Sequence, residues 1–223
     1  MPPIVALLLS YVIGSIPSAY LAGKAKGIDL RKHGSGNLGA TNVYRVLGAR
    51  IAAVVFIADV LKGALPVMFL PHLTAGGGPM AAHWAYAYGL AAILGHVRPV
   101  FLLWQKGGKG VATATGVFFA LAPLAMALAF VTFVVIVYAT GYVSLGSLTG
   151  ALVLAATLLV TQGPRSPLFA LAALVTLFVF WSHRANIGRL RRGEEHRFGR
   201  KARDGGTGPT GAQSPPPATQ EGR

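Results

Sequence analysis

The sequence predicts an all-α integral membrane protein of seven transmembrane helices, some short, with a candidate active site formed by inter-helix loops on the cytoplasmic face. Three observations carry that prediction. Of the 223 residues, 53% are hydrophobic and only 12% charged, with a mean hydropathy of +0.57; soluble domains carry about 25% charged residues. The apolar residues gather into long runs, as membrane spans require. The 20 Lys and Arg, against 6 Asp and Glu, fall mainly between those runs and in the tail. A net charge of +14 in a soluble chain would suggest nucleic acid. Confined to inter-span segments, it points instead to cytoplasmic loops, anionic ligands and no nucleic acid. No cysteine is present, which excludes a catalytic thiolate, a disulfide and a thiolate metal site.

The first apolar run is 4–23. It has neither a basic leader nor a clean small-residue cleavage site, so it reads as a retained span and not a signal peptide. Lys24, Lys26, Arg31 and Lys32 follow, then the polar stretch GSGNLGATNVYR at 34–45, then Arg50. The second run, 51–70, carries Asp59 and Lys62, three apart and on one helix face. Charges at membrane depth are paired or functional. The first reading is a mutual ion pair facing the bundle interior; the second is a contribution to the field of a site. Residues 71–79 form an uncharged glycine-rich turn, and 80–94 a third run.

Next comes GHVRPVFLLWQKGGKG at 95–110, basic and glycine-rich. Residues 111–140 are apolar, with Pro123 inside; 141–147, GYVSLGS, is a small polar break. Residues 148–161 are apolar, 162–167 turn with Arg165, and 168–182 are the last run. The tail is basic from His183 to Arg203. Residues 1–203 read as one polytopic membrane domain. The Gly- and Pro-rich 204–223 are expected to be disordered.

Charge and parity set the topology. The basic segments 24–50, 95–110 and 184–203 belong in the cytoplasm, which puts the N-terminus outside and the C-terminus inside. An even number of crossings is then needed between 110 and 184. Splitting 111–140 at Pro123, where a helix ends or kinks, supplies it and brings the total to seven. About thirty residues reach about 45 Å, against about 60 Å for two full crossings, so these two helices are short. Five crossings with a re-entrant segment is the alternative.

Four polar segments then share one face. The stretch 34–45 offers Ser35, Asn37, Thr41, Asn42 and Arg45, with glycines that allow close approach. Thr41 and Arg45 share a face on a helix starting near Gly39. The plainer reading is a capping turn before the second span. Lys106, Gly107, Gly108, Lys109 and Gly110 precede an apolar helix. Exposed backbone N–H groups, a lysine and a helix N-terminus make an anion nest, or else a basic interfacial loop. It is not a nucleotide P-loop, because Gly110 stands where Ser or Thr is required. Ser144 and Ser147 lie in the third segment. His183 and Asn186 begin the fourth, where basic snorkelling accounts for the arginines but poorly for these two.

The histidines are scattered and the carboxylates few. No cluster has metal-ligand spacing, so no metal is expected. No His-x-x-x-x-Asp pair of the kind many acyltransferases use as a base occurs.

Three blocks, SGNLGATNVYR (35–45), GHVRPVFLLWQKGGKGVAT (95–113) and HRANIGRLRRGEE (183–195), in this order and spacing, resemble the bacterial acyl-phosphate:glycerol-3-phosphate acyltransferases, the PlsY family. The resemblance covers essentially residues 1–200. One departure is Trp104-Gln105, where an aromatic next to the lysine is expected. The resemblance implies an inner-membrane enzyme of phospholipid biosynthesis. It would move a fatty acyl group from acyl phosphate to the 1-hydroxyl of sn-glycerol 3-phosphate, giving lysophosphatidic acid and phosphate. No cofactor is implied, because acyl phosphate is already activated. The implied partners are the two substrates and membrane lipids; a monomer is compatible with the chain. Arg45 and Lys109 are expected to bind phosphate. Ser35, Asn37 and Thr41 would hydrogen-bond phosphate or polarise the carbonyl. Ser147, with Ser144 beside it, would close the acyl-phosphate site, and His183 and Asn186 would hold glycerol phosphate. Glu195 matches the family's C-terminal glutamate and would orient basic side chains. No side chain stands out as base, so a phosphate oxygen of the donor is expected to take the hydroxyl proton, with His183 as the rival. An anion transporter is the alternative outside enzymes, and thioester acyl donors the alternative within them.

Overall fold

The computed structural model describes residues 1–74 and 79–198. The tail 204–223, expected to be disordered, lies outside the described residues, as do 75–78 of the predicted turn. Among the described residues the fold is all α, without strands. The helices are α1 (Pro3–Gly14), α2 (Ser18–Lys24), α3 (Ala40–Leu47), α4 (Ala49–Thr74) and α5 (Pro79–Val97). A 3-10 turn at Val100–Leu102 precedes α6 (Val111–Leu121), α7 (Pro123–Thr140), α8 (Val143–Gln162), α9 (Pro167–Ser182) and α10 (Arg184–Arg191).

The predicted first span is broken. Ser15, Ile16 and Pro17 interrupt the run between α1 and α2. Pro17 has no N–H to offer the Ile13 carbonyl, and the helix breaks. The Ile16 carbonyl at the break accepts from the Ser18 N–H at 3.0 Å and from the Lys62 ammonium at 2.8 Å, so it is satisfied inside the bundle. The predicted turn at 71–79 is also corrected. Helix α4 continues through Pro66 and Pro71 to Thr74, because membrane helices tolerate proline where neighbours cover the freed carbonyls.

Proline acts as expected further on. Pro123 opens α7, one residue after α6 ends. The polar break predicted at 141–147 shrinks to Gly141 and Tyr142. Gly141 takes the left-handed conformation, φ 77°, that ends α7. Ser144 and Ser147 are therefore helical. Ser147 returns its hydroxyl to the Val143 carbonyl at 2.9 Å, so a polar residue stays in a membrane helix without an external partner.

Close approach of backbones holds the bundle together. A Cβ on Gly14 would overlap the Ala92 backbone, and one on Gly95 the Tyr11 carbonyl, which seals α1 on α5. Gly63 against Thr113 and Gly116 against Val60 do the same for α4 and α6. Such small-residue contacts drive helix association in lipid. Ser10 adds a hydrogen bond to the Tyr88 carbonyl at 2.6 Å. The core of α5 to α9 is built around Val117, Phe118, Leu158 and Ala172. Outward faces carry Leu124, Val160 and Leu177, exposed as lipid-facing residues are.

Five helical segments among the described residues are long and apolar enough to cross a membrane: 3–24, 49–74, 83–102, 123–140 and 143–162. Helix α9 joined to α10 across a 58° bend would make a sixth, and α6 is a shorter apolar helix. Eleven residues rise about 16 Å, half a hydrocarbon core.

Candidate active site

A cavity of about 490 Å³ opens between α3, α4, α6, α8 and α10. Four helix N-termini meet there. Gly39, Ala40 and Thr41 begin α3; Gly110, Val111 and Ala112 begin α6; Val143 and Ser144 begin α8; His183, Arg184 and Ala185 begin α10. None of the four has a side-chain cap. Each leaves backbone N–H groups and the positive end of its dipole at the cavity. Arg45, Lys106, Lys109, Arg184 and Arg189 add side-chain charge, with Glu195 and Asp59 as counter-charges.

Of the residues singled out from the sequence, Ser35, Asn37, Thr41, Asn42 and Arg45 line the wall made by α3 and its preceding loop. Lys106, Lys109 and Gly110 line the next wall; Ser144, Ser147, His183, Asn186 and Glu195 line the facing one. Gly107 and Gly108 do not line it, and the exposed-N–H nest predicted for them is corrected. Their N–H groups are spent on the Val97 and His96 carbonyls, at 3.0 and 3.3 Å. The anion-facing amides of this loop belong to the start of α6.

Asn42 also differs from expectation. It is 1% exposed, and its amide clamps the loop before α3. Its Oδ1 accepts the Ser35 N–H at 2.8 Å, while Nδ2 donates to the Leu30 and His33 carbonyls at 3.3 and 3.1 Å. Nothing in that side chain is left for a ligand. Thr41 and Arg45 do sit one turn apart on α3, and the Asn37 Oδ1 is buried without a partner at the cavity wall.

A relay runs across the cavity. The Lys109 ammonium donates to the Asn186 Oδ1. Asn186 Nδ2 donates to Glu195 Oε1 at 2.6 Å, which Ser144 also reaches at 2.9 Å. Arg189 donates to Oε2 at 2.7 Å. Burial opposes the Glu195 charge, but hydrogen bonds from Asn186, Arg189 and Ser144 outweigh it and hold the carboxyl below its usual range. Burial, with Arg189, Lys106 and Arg45 nearby, lowers Lys109 to about 8, although Glu195 opposes the shift. Burial beside Lys109 lowers His183 to about 4, so its imidazole is neutral at pH 7. His183 Nδ1 lies 2.8 Å from the Val179 carbonyl, which can only accept; Nδ1 therefore carries the proton and Nε2 is the acceptor.

An apolar slot adjoins this cavity between α6, α7, α8 and α9. Phe56, Val111, Phe133 and Ser147 line both, and Met126, Ala129, Gly150 and Leu154 line the slot beyond them.

The glycerol-3-phosphate acyltransferase family model matches residues 4–193. The chain belongs to that family. A glycerol-3-phosphate acyltransferase of Geotalea daltonii is 44% identical over 197 residues, covering 88% of this chain and 98% of the relative. One of Trichlorobacter lovleyi is 47% identical over 190 residues, covering 85% and 94%. The crystal structure of PlsY, an integral membrane glycerol 3-phosphate acyltransferase, in its glycerol 3-phosphate form has a TM-score of 0.80 at 40% identity, covering 88% of this chain and 96% of that one. Its lysophosphatidic acid form has a TM-score of 0.77 at 38% identity, covering 88% and 95%.

The PlsY-family match ends at residue 193, just before a short strap. Glu195 anchors the strap; Phe198 donates its N–H to the Gly141 carbonyl at 2.6 Å and packs on Tyr44, ring centroids 4.2 Å apart. The departure at Gln105 has a local role: its Oε1 accepts Arg31 at 2.8 Å, tying the loop before α3 to the loop before α6. Three features escaped sequence reasoning: the convergence of four uncapped N-termini, the strap, and a buried Asp59–Lys62–His96 cluster under the cavity. Asp59 and Lys62 do pair, at 2.7 Å, as the first reading expects, and Asp59 also lines the cavity.

Proposed function

We propose that this PlsY-family chain transfers a fatty acyl group from acyl phosphate to the 1-hydroxyl of sn-glycerol 3-phosphate. The products are 1-acyl-sn-glycerol 3-phosphate, which is lysophosphatidic acid, and phosphate. This is the first acylation of phospholipid biosynthesis. The observation that carries the reading is the convergence of four uncapped helix N-termini and five cationic side chains on one cavity beside an apolar slot. Two phosphate headgroups suit the cavity, and an acyl tail suits the slot.

Arg45 binds phosphate through its planar fork, and Lys109 does so as a point charge. Ser35, Thr41 and the partnerless Asn37 Oδ1 meet the polar ends of the substrates, with Asn42 holding their loop in place. Asn186 and His183 hold glycerol phosphate. Ser144 and Ser147 stand where the cavity meets the slot, at the acyl carbonyl. The hydroxyl oxygen attacks the carbonyl carbon, a C–O bond forms, and the bond from that carbon to the phosphate oxygen breaks. The amides of the helix N-termini stabilise the charge that develops. With His183 near 4, its Nε2 is a hydrogen-bond acceptor for the hydroxyl and a weak base at pH 7. The departing phosphate, whose oxygens gain charge as the bond breaks, takes the proton.

Purified protein in detergent, given glycerol 3-phosphate and acyl phosphate, is expected to release phosphate and form lysophosphatidic acid. Acyl-CoA and acyl-carrier protein are expected to give no product. Turnover with either thioester would overturn the donor assignment.

The same reading assigns seven crossings in the bacterial inner membrane, with the N-terminus outside and α6 as a short fourth span. Its link to α7 at Ala122 then faces outward. In this cysteine-free chain, Ala122→Cys is expected to react with a membrane-impermeant thiol reagent added outside intact cells. Labelling only after lysis would sink the assignment.

A further inference from the structure

Asp59, Lys62 and His96 lie under the cavity and are 1%, 5% and 6% exposed. The Lys62 ammonium and the His96 Nδ1 approach the same Asp59 oxygen, Oδ1, at 2.7 and 3.7 Å. That oxygen is buried and has no other partner among the described residues. Lys62 is further engaged by the Ile16 carbonyl. Among the described residues the His96 side chain has no such second hydrogen bond. Its other side meets the loop before α6.

That loop is wrapped around His96. The Gly108 N–H donates to the His96 carbonyl at 3.3 Å, and the Gly107 N–H to the neighbouring Val97 carbonyl at 3.0 Å. A Cβ on Gly107 would overlap the His96 carbonyl; one on Gly108 would overlap the His96 Nε2 and sit 2.6 Å from Cε1. The imidazole therefore fills most of the space that a side chain at 108 would need, the rest being bounded by the Leu38 carbonyl, 3.0 Å from that Cβ. A line of contacts runs from Asp59 on α4, through His96 on α5, to Gly108, whose neighbour is Lys109. Linear sequence separates Asp59 from His96 by a whole span; the α4–α5 packing turns them into a carboxylate–histidine pair.

We infer that Asp59 and His96 are positioning residues: the carboxylate sets the imidazole, and the imidazole sets the glycine loop that carries Lys109 to the phosphate of glycerol 3-phosphate. This rests on the phosphate-binding reading of Lys109 given above, the phosphate being that of glycerol 3-phosphate because Lys109 is bonded to Asn186, which in that reading holds it. Neither residue transfers a proton; their effect is on where the cation stands. A misplacement of about 1 Å costs up to about a hundredfold.

The test uses the full chain in detergent, with KM and kcat measured separately. His96→Ala is expected to raise KM for glycerol 3-phosphate by about tenfold or more, with kcat within about threefold. Gly108→Ala is expected to be severe in the native background, where its methyl meets the imidazole. In the His96→Ala background the methyl takes the vacated space and restores part of the lost affinity, a non-additivity of about tenfold. Asp59→Asn alone strands the buried ammonium, so Asp59→Asn/Lys62→Gln carries that arm. It removes both charges, keeps a donor for the Ile16 carbonyl, and is expected to raise KM in the same direction. Additive effects at 96 and 108, or a His96→Ala protein whose only defect is lower folded yield, would overturn the inference. Lys109→Met separates the two levels. Full activity in that variant sinks the phosphate-binding reading itself, whereas a loss there with an unchanged KM in His96→Ala sinks the positioning role alone.

Discussion

Lys109→Met is expected to lower kcat/KM for glycerol 3-phosphate by about a hundredfold to a thousandfold. Removing one partner of a buried, hydrogen-bonded charge pair costs about 2–5 kcal/mol, and each 1.4 kcal/mol is about tenfold. The lysine is half-buried, its ammonium is tied to Asn186, and it stands at the uncapped start of α6. Methionine keeps the stem and removes the ammonium, with both its charge and its hydrogen bond to Asn186. Initial rates of lysophosphatidic acid formation across glycerol 3-phosphate concentrations measure the effect. A change of less than about threefold would show that the phosphate lies elsewhere.

The same residue governs the alkaline limb. Its pKa is lowered to about 8, so the charged form that binds phosphate is present below that pH and lost above it. In the native chain kcat/KM is expected to fall about tenfold per pH unit above that point, because kcat/KM reports the free enzyme. Lys109→Arg stays charged throughout and is expected to lack that limb, whatever its absolute rate.

Glu195→Gln is expected to cost about 2–4 kcal/mol of stability and about a hundredfold in activity. The carboxylate accepts from Ser144, Asn186 and Arg189. An amide in its place turns one acceptor into a donor aimed at other donors. Arg189 is 32% exposed on its side chain, so solvent screens part of the loss and the lower end applies to that bond. The activity loss has a separate route. Asn186 would be free to turn its amide, and the oxygen that receives Lys109 would no longer face it. Thermal unfolding in detergent reads the first effect and turnover the second. The sign with pH follows from the carboxyl standing below its usual 4.5. Its stabilisation is present above that value and is lost as pH falls through the lower folded-state value. Glu195→Gln is therefore expected to converge with the native protein in acid. A variant as stable and as active as the native chain at pH 7 would remove Glu195 from the network.

Much of this was legible because the relevant signals are local. Pro123 ends one helix and opens the next as its missing N–H requires. The polar stretch before Arg45, the lysine–glycine loop and the His183 segment all reach one cavity, as charge and parity implied. What escaped has physical reasons. The four N-termini begin at Gly39, Gly110, Tyr142 and His183. None of these carries the Ser, Thr, Asp or Asn by which helix starts are read. Ser144 and Ser147 looked like loop residues, yet in an apolar helix a serine can satisfy itself on the preceding turn, as Ser147 does. Pro17 was a visible break signal, but the partner of the Ile16 carbonyl at that break, Lys62, lies far along the chain. Asp59 and His96 lie on different spans, and only their packing joins them.

The glycine contacts described above also apportion compliance. At Gly14, Gly63, Gly95 and Gly116 backbone meets backbone with no side chain between, so α1 with α5 and α4 with α6 form stiff, welded pairs. At Gly150 the nearest backbone atom to a Cβ, the Ala129 carbonyl, is 3.0 Å away, and the flexible side chains of Met126, Phe130 and Leu154 stand around the slot. The give around the slot therefore lies in those side chains, because α7 and α8 are themselves closely packed, Gly146 meeting Phe133 and Gly150 the Ala129 carbonyl. Movement of Met126, Phe130 or Leu154 is expected to widen the slot while α4 and α6 keep their register.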